Sequence, residues 1–305
     1  MSGQVRIFRV DAFTDFACTG NPACVVPDAE RLDESLLLPI AREQGGVDTA
    51  FVLPPEADDA DLRVRFFTPR GETGLVGHAT IAVHAVREFL GLPPARIQRQ
   101  RSGTVAIERL AGPGGAHFAF TQPLPPVQGP LPAEQQHDIL AALGIGHPEL
   151  DPAGAPVAAG AGGNRALIAV RSAATLARLR PDLARLAALS AAGAPAGFFV
   201  YTLSPALADC DSEARMFCPA IGIAEDPVSG NAHAMLAAHL LATGRMPQRS
   251  GIAELIGRQG HHMGRPGTLS VRVLGAAGAD AVRVRVAGSA RIVCQATLDP
   301  SHVIA

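Results

Sequence analysis

The 305-residue sequence contains no lysine, so all 26 of its basic side chains are arginine. That absence excludes a lysine Schiff base, a lysine-held pyridoxal phosphate and the lysine of a Walker P-loop. Tryptophan is also absent, tyrosine occurs only at Tyr201, and the formal net charge is −2. Nucleic-acid binding needs a basic footprint and rings to stack on; with little of either, nucleic acid is not an expected partner. Cysteine is scarce and odd in number, and Cys18, Cys24, Cys210, Cys218 and Cys294 include no C-x-x-C pair. Neither a disulfide framework nor a zinc ribbon is indicated, which fits a reducing cytoplasm. Met1 to Phe13 has strand-like apolar positions (Val5, Ile7, Phe8, Val10) and not the basic-then-apolar plan of a signal peptide, so the expected location is cytoplasmic. An uncharged stretch between Asp226 and Arg245 resembles a membrane span only superficially. Its helical part, Asn231 to Thr243, would rise only ~20 Å against a hydrocarbon core of ~30 Å, and no membrane partner is expected.

What the chain does contain is one half-motif written twice. Val64-Arg65-Phe66-Phe67-Thr68-Pro69 precedes Glu72 and Gly77-His78-Ala79; Ala214-Arg215-Met216-Phe217-Cys218-Pro219 precedes Glu225 and Gly230-Asn231-Ala232. In each copy the Gly follows the Glu by five positions, and a second Gly (Gly91, Gly244) follows by fourteen, where a helix would stop. A strand, a loop carrying carboxylates and a glycine-started helix have been duplicated. A length of 305 residues, at ~150 per domain, agrees with two domains. Two such units facing each other would aim two helix N-termini, with free N–H groups and partial positive charge, into one cleft. The expected partner is therefore a small anionic substrate. Both helices, Ala79 to Leu90 and Asn231 to Thr243, are apolar nearly all round and belong inside their own domains. The repeated Arg65, Glu72, Arg215 and Glu225 suit a structural pairing, whereas the copies differ at His78 against Asn231 and Thr73 against Asp226, where chemistry is expected.

In the first half, strands are predicted at Val5–Val10, Ala23–Val26, Ala50–Leu53, Leu62–Phe67, Thr104–Leu110 and His117–Thr121, with a helix at Glu34–Gln44 despite Pro39. Gln122 to Pro132, with five prolines, reads as a linker rather than an element. In the second half, helices are predicted at Ala133–Leu143 and Ala173–Leu189. Strands are predicted at Ala166–Val170, Gly197–Thr202, Leu269–Leu274, Ala281–Val286 and Ala290–Leu298, the last returning to the first domain. The domains are thus 1–124, completed by 290–305, and 125–289.

These residues also carry a family resemblance. Val10-Asp11-Ala12-Phe13-Thr14, Gly20-Asn21-Pro22-Ala23, Asp48-Thr49-Ala50-Phe51-Val52, Phe67-Thr68-Pro69, Gly77-His78-Ala79-Thr80, Glu225-Asp226-Pro227-Val228-Ser229-Gly230-Asn231-Ala232 and Met263-Gly264-Arg265-Pro266 resemble, in order, the signatures of the phenazine-biosynthesis PhzF-like family. The resemblance implies an α+β (mixed α/β) diaminopimelate-epimerase-like fold: two pseudo-symmetric halves, each a curved, mostly antiparallel sheet around a central helix. It also implies cofactor-independent isomerisation by proton transfer, similar to trans-2,3-dihydro-3-hydroxyanthranilate isomerase, in a homodimer.

The family places a glutamate, the proton carrier, just before the T-x-F-V strand; the matching residue here is Asp48, the same acid one methylene shorter. A shift of about 1 Å in a reacting group can cost ~100-fold in rate. His78 and Asp226 match the family's other site positions, and Asn231 stands where the phenazine enzyme has serine. Gly77, Gly230, Ser229 and Asn231 complete the expected substrate contacts, with the His78 and Asn231 amides as donors. Read without the family, Asp48 could cap a turn, Asp226 before Pro227 is a common turn dipeptide, and Ser229 is a natural N-cap.

A metal is not expected, since His78 and His84, and His233 and His239, are six apart on their helices and point to different faces. Gly160-Ala161-Gly162-Gly163 is no complete dinucleotide fingerprint. Epimerases of the implied fold use a cysteine at each central helix start. Val76 and Asp226 occupy those neighbourhoods here, which disfavours a two-thiol mechanism; a carboxylate-based epimerase or racemase, or an inactive metabolite-binding protein of the same fold, remain alternatives.

Overall fold

Segments apolar on every face need enclosure on all sides, and the two that follow Gly77 and Gly230 become helices wrapped by strands. The computed structural model describes residues 4–111, 117–152, 154–275, 282–300 and 303. Its chain divides into one unit of Met1–Gln122 with Arg285–Ala305 and a second of Pro123–Val284.

The first unit contains β1 (Val5–Ala12), β2 (Asn21–Val26), α1 (Glu34–Glu43), β3 (Asp48–Leu53), β4 (Leu62–Thr68), β5 (Gly71–Thr73), α2 (Gly77–Phe89), β6 (Ile97–Gln100), β7 (Gly103–Leu110) and β8 (His117–Pro123). The second contains β9 (Val127–Pro130), α3 (Ala133–Leu143), β10 (Val157–Ala159), β11 (Arg165–Ala169), α4 (Ala173–Arg178), α5 (Leu183–Ala191), β12 (Gly197–Thr202), β13 (Ser212–Cys218), β14 (Ile223–Asp226), α6 (Gly230–Ala242), β15 (Gln248–Arg249), β16 (Ile252–Gln259) and β17 (Gly267–Leu274). The last strand, β18 (Arg283–Leu298), pairs antiparallel with β1 from Val5↔Leu298 to Ala12↔Ala290.

In the first unit the pairings run β18-β1-β2-β3-β4-β6-β7-β8 and return to β18, closing a barrel. Helix α2 packs against β1, β2 and β3, and its buried positions run from Gly77 to Val86 with only His78 partly open. Helix α1 covers the outside, where Leu37 and Ile40 join Val5, Ile7, Val26 and Phe51 in a second apolar layer. Pro39 is tolerated because the bond it deletes is in a short, largely surface helix already started by the Asp33 cap on the Ser35 N–H.

The second unit repeats the order: β10-β11 antiparallel, β11-β12 parallel, β12-β13 antiparallel, β13-β16 parallel, β16-β17 antiparallel. Each pairing has a counterpart of the same direction in β1-β2, β2-β3, β3-β4, β4-β6 and β6-β7. The duplicated half-motif is therefore part of a duplicated mixed α+β unit. Helix α6 packs against β9, β16 and β17, while α3, α4 and α5 cover the outer face through Ile139, Leu140, Leu176 and Leu186.

Three sequence expectations are corrected. The helix predicted at Ala173–Leu189 is two, because Pro181 forbids helical continuation and Asp182 caps a new helix on the Arg185 N–H. The proline-rich linker carries β9, whose Pro130 can lie beside Val157 because a ladder needs no donor at every position. Strands predicted separately at Ala281–Val286 and Ala290–Leu298 form the single strand β18; Ala281 lies outside the described residues.

Candidate active site

The repeated Arg and Glu form the same bidentate clamp in each unit. Arg65 Nε and Nη2 donate to Glu72 at 2.9 and 2.7 Å, and Arg215 Nε and Nη2 donate to Glu225 at 2.9 and 2.8 Å. Each guanidinium also lies over a ring of its own strand, Phe67 at 5.3 Å and Phe217 at 5.0 Å. The clamps lock the β4–β5 and β13–β14 hairpins, and so fix where the chain enters α2 and α6.

At the first helix start, His78 is the second residue of α2 and Asp48 is the first of β3. His78 Nε2 lies 3.6 Å from Asp48 Oδ2, with side-chain exposures of 13% and 19%. Burial pushes the Asp48 carboxyl from 3.8 up to about 6. Among the described residues no arginine ion-pairs with Asp48, so its charge is not spent on the scaffold. The N-cap of α2 is Val76, which has no side-chain acceptor to offer the first amides. Gly77 is buried, and its lack of a side chain keeps the backbone N–H groups approachable.

At the second helix start, Asp226 ends β14 and is half-buried, followed by Pro227 and Val228. Ser229 is the N-cap of α6, its hydroxyl accepting from the Ala232 N–H at 3.3 Å. Gly230 is buried, and Asn231 Oδ1 is buried with no hydrogen-bond partner in the described structure. A buried amide oxygen left without a donor costs about 1–3 kcal/mol.

Two residues of this region escaped the sequence reading. Gln259, 1% exposed at the end of β16, donates from Nε2 to the Asp226 carbonyl at 2.6 Å and accepts the Ser229 N–H on Oε1 at 3.2 Å. Next to it, Gly260 has φ +84, and a Cβ there would sit 2.8 Å from the Pro227 carbonyl oxygen. The signal was present: Ile97-Gln98-Arg99-Gln100 and Ile256-Gly257-Arg258-Gln259 extend the repeat into β6 and β16.

The buried cysteines do not suit proton transfer. All five are free thiols, and burial pushes Cys218, the one nearest the motif, up to about 12 and Cys24 to about 11. Among the described residues no group of three or more His, Cys, Asp and Glu is placed to hold a metal ion.

The phenazine biosynthesis-like family (PhzC-PhzF) matches residues 10–296. The uncharacterized isomerase YddE of Escherichia coli (strain K12) is 36% identical over 271 residues, covering 88% of this chain and 90% of that protein. A crystal structure of the Bacillus anthracis PhzF-family phenazine biosynthesis protein superposes with a TM-score of 0.84 at 24% identity, covering 97% of this chain and 99% of the other. A hydroxyproline epimerase from Agrobacterium vitis, solved with trans-4-hydroxy-L-proline, shares the fold at a TM-score of 0.60 and 13% identity, with 97% and 93% covered. Relatives named isomerases define an enzyme of the isomerase class. Within that class, the chain belongs to the phenazine biosynthesis-like (PhzC-PhzF) family.

Proposed function

We propose that the enzyme is a cofactor-independent isomerase of a small carboxylated metabolite, moving a proton between two carbons with Asp48 as its carrier. The observation that carries this reading is the buried Asp48 carboxyl, raised to about 6, at 3.6 Å from His78. A proton carrier must be ionised at neutral pH yet hold a proton well enough to deliver it, and a carboxyl near 6 meets both demands better than one near 4. His78 can orient the carboxylate or share its proton, and the positive end of α2 beside it favours the substrate's negative charge. In the second unit, Asp226 and the Gly230 and Asn231 amides at the start of α6 are suited to binding a carboxylated ligand, and the unpartnered Asn231 oxygen suits a hydroxyl or amine donor. Ser229 contributes as a cap that holds those amides in place.

The test is solvent deuterium incorporation. A panel of cyclic amino and hydroxy acids is incubated with the protein in D2O and read by mass spectrometry. A substrate should exchange with wild type and not with Asp48→Asn; undiminished exchange in the variant would remove Asp48 from the carrier's role. The high thiol pKa of Cys218 argues against a thiol-based epimerase on the same scaffold.

A further inference from the structure

The far end of α2 bounds a cavity that the proposed chemistry does not use. It has a volume of about 810 Å³, within the range of small-molecule sites, and lies between the last turn of α2, the Gly91–Arg96 loop and strands β6, β7 and β8. Its floor is apolar, formed by Ala106, Ile107 and Phe118, with the exposed Ile97 at its edge. The one titratable group at that floor, His84, is 3% exposed and carries no charge at neutral pH. Burial takes its pKa down to about 4, and its Nε2 is engaged by Gln98 Oε1 at 3.1 Å.

The rim is unequally charged. Glu88 is taken by Arg109 at 2.9 Å and Glu108 by Arg285 at 2.9 Å. Arg87 and Arg96 remain, and neither makes an ion pair among the described residues. Arg87 donates from Nη2 to the Pro93 carbonyl at 2.9 Å, but its Nε is buried with no partner. The nearby Asp61 carboxylate accepts the backbone N–H groups of Arg96 and Ile97 at 2.7 and 2.8 Å, and its one negative charge also acts on both Arg96 and Arg87. An apolar floor beneath two guanidinium groups that share the single Asp61 carboxylate, with Arg87 partly desolvated, leaves positive charge in excess and asks for an apolar body with one negative end. The C-terminal end of α2 repels an anion, so the recognition must come from these arginines at the mouth.

We propose that this cavity binds an amphipathic monocarboxylic acid, its hydrocarbon on the Phe118 and Ile107 floor and its carboxylate at Arg96 and the Arg87 Nε. The site is separate from Asp48 and His78: His78 and Arg87 are nine positions apart on the helix, a rise of roughly 13 Å.

Titration calorimetry of the full chain with decanoate tests it, with decan-1-ol as the uncharged control. Saturable binding of one decanoate per chain is expected, weakened about tenfold or more by Arg96→Gln, an exposed position whose change leaves the fold intact. Decanol should bind more weakly than decanoate, and Asp48→Asn should bind decanoate like wild type. No saturable binding, equal affinity for decanol, or indifference to Arg96→Gln would overturn the proposal. Loss of binding in Asp48→Asn would also overturn it, by placing the acid at the proton-transfer residues instead, without bearing on their role.

Discussion

Gln259 holds the Asp226 carbonyl at 2.6 Å and the Ser229 amide at 3.2 Å with one side-chain amide, spanning the turn that leads into α6. Pro227 lies inside that span and has no N–H of its own, so the turn depends on bonds from outside it. Gln259→Leu strips a buried acceptor and a buried donor of their partners, each at a cost of about 1–3 kcal/mol. Gln259→Glu keeps the acceptor and loses the donor. Urea unfolding should rank stability wild type, then Gln259→Glu, then Gln259→Leu; equal midpoints would show that water replaces the clamp.

The Asp48 carboxyl titrates near 6 in the folded protein against 3.8 when unfolded, so between these values the folded state binds more protons. Stability therefore falls as pH rises from about 4 to about 6, and above that the full cost of burying the charge, roughly 2–3 kcal/mol, is present. Asp48→Asn should remove this slope and raise stability at pH 8, measured by urea unfolding at pH 5 and pH 8. The same substitution should abolish activity, while the wild-type rate should rise with pH and level off above about 6, where the carrier is ionised. A variant less stable than wild type at pH 8 would mean that the carboxylate serves the scaffold.

Most of the repeat was legible because its two periodicities were loud: β-branched and aromatic runs for β4 and β12, and two long apolar segments started and stopped by glycine for α2 and α6. The helix starts were placed within about two residues, the ordinary uncertainty of helix ends. What stayed hidden were strands whose local signal is weak. β5 and β10 have three residues each, and β16 reads Ile-Ala-Glu-Leu-Ile-Gly-Arg-Gln, with a glycine and two charges. Missing β16 meant missing Gln259, since its reach to Asp226 is set by the parallel pairing of β13 with β16 and not by anything local. Proximity of His78 to Asp48, thirty positions apart, is likewise a property of the barrel rather than of spacing.

The two Arg–Glu clamps give a graded prediction. Arg215 is 9% exposed and also donates to the Leu176 carbonyl at 3.1 Å, so Glu225→Gln leaves a buried charge short of its partner. Removing one side of a buried pair costs about 3–5 kcal/mol. Arg65 keeps a second partner, Glu34 at 2.7 Å, and Glu72→Gln should therefore cost less. The surface pair Arg185–Asp138, with exposures of 45% and 36%, should change stability by less than about 1 kcal/mol when Asp138 becomes Asn. Thermal melts of the three variants should fall in that order, and a reversal of the first two would show that Glu34 does not support Arg65 in solution.

At matching places in the two units, size is traded between helix and strand. In the first, Thr80 of α2 meets Gln98 of β6, whose Nε2 lies 3.4 Å from the Thr80 hydroxyl. In the second, His233 occupies the helix position and Gly257 the strand position, and a Cβ on Gly257 would fall on the imidazole. That ring is fully buried and neutral, driven to about 4 by burial, with Nδ1 against the Ser229 carbonyl at 2.8 Å. It cannot move aside without breaking the bond at the α6 start. Gly257→Ala should consequently cost about 1–3 kcal/mol by overpacking. His233→Ala should also destabilise, by leaving a cavity, but the double variant should recover most of the Gly257→Ala loss because its methyl then has room. A double-mutant cycle by urea unfolding reads the coupling directly, and additive costs would show that the two positions do not share one volume.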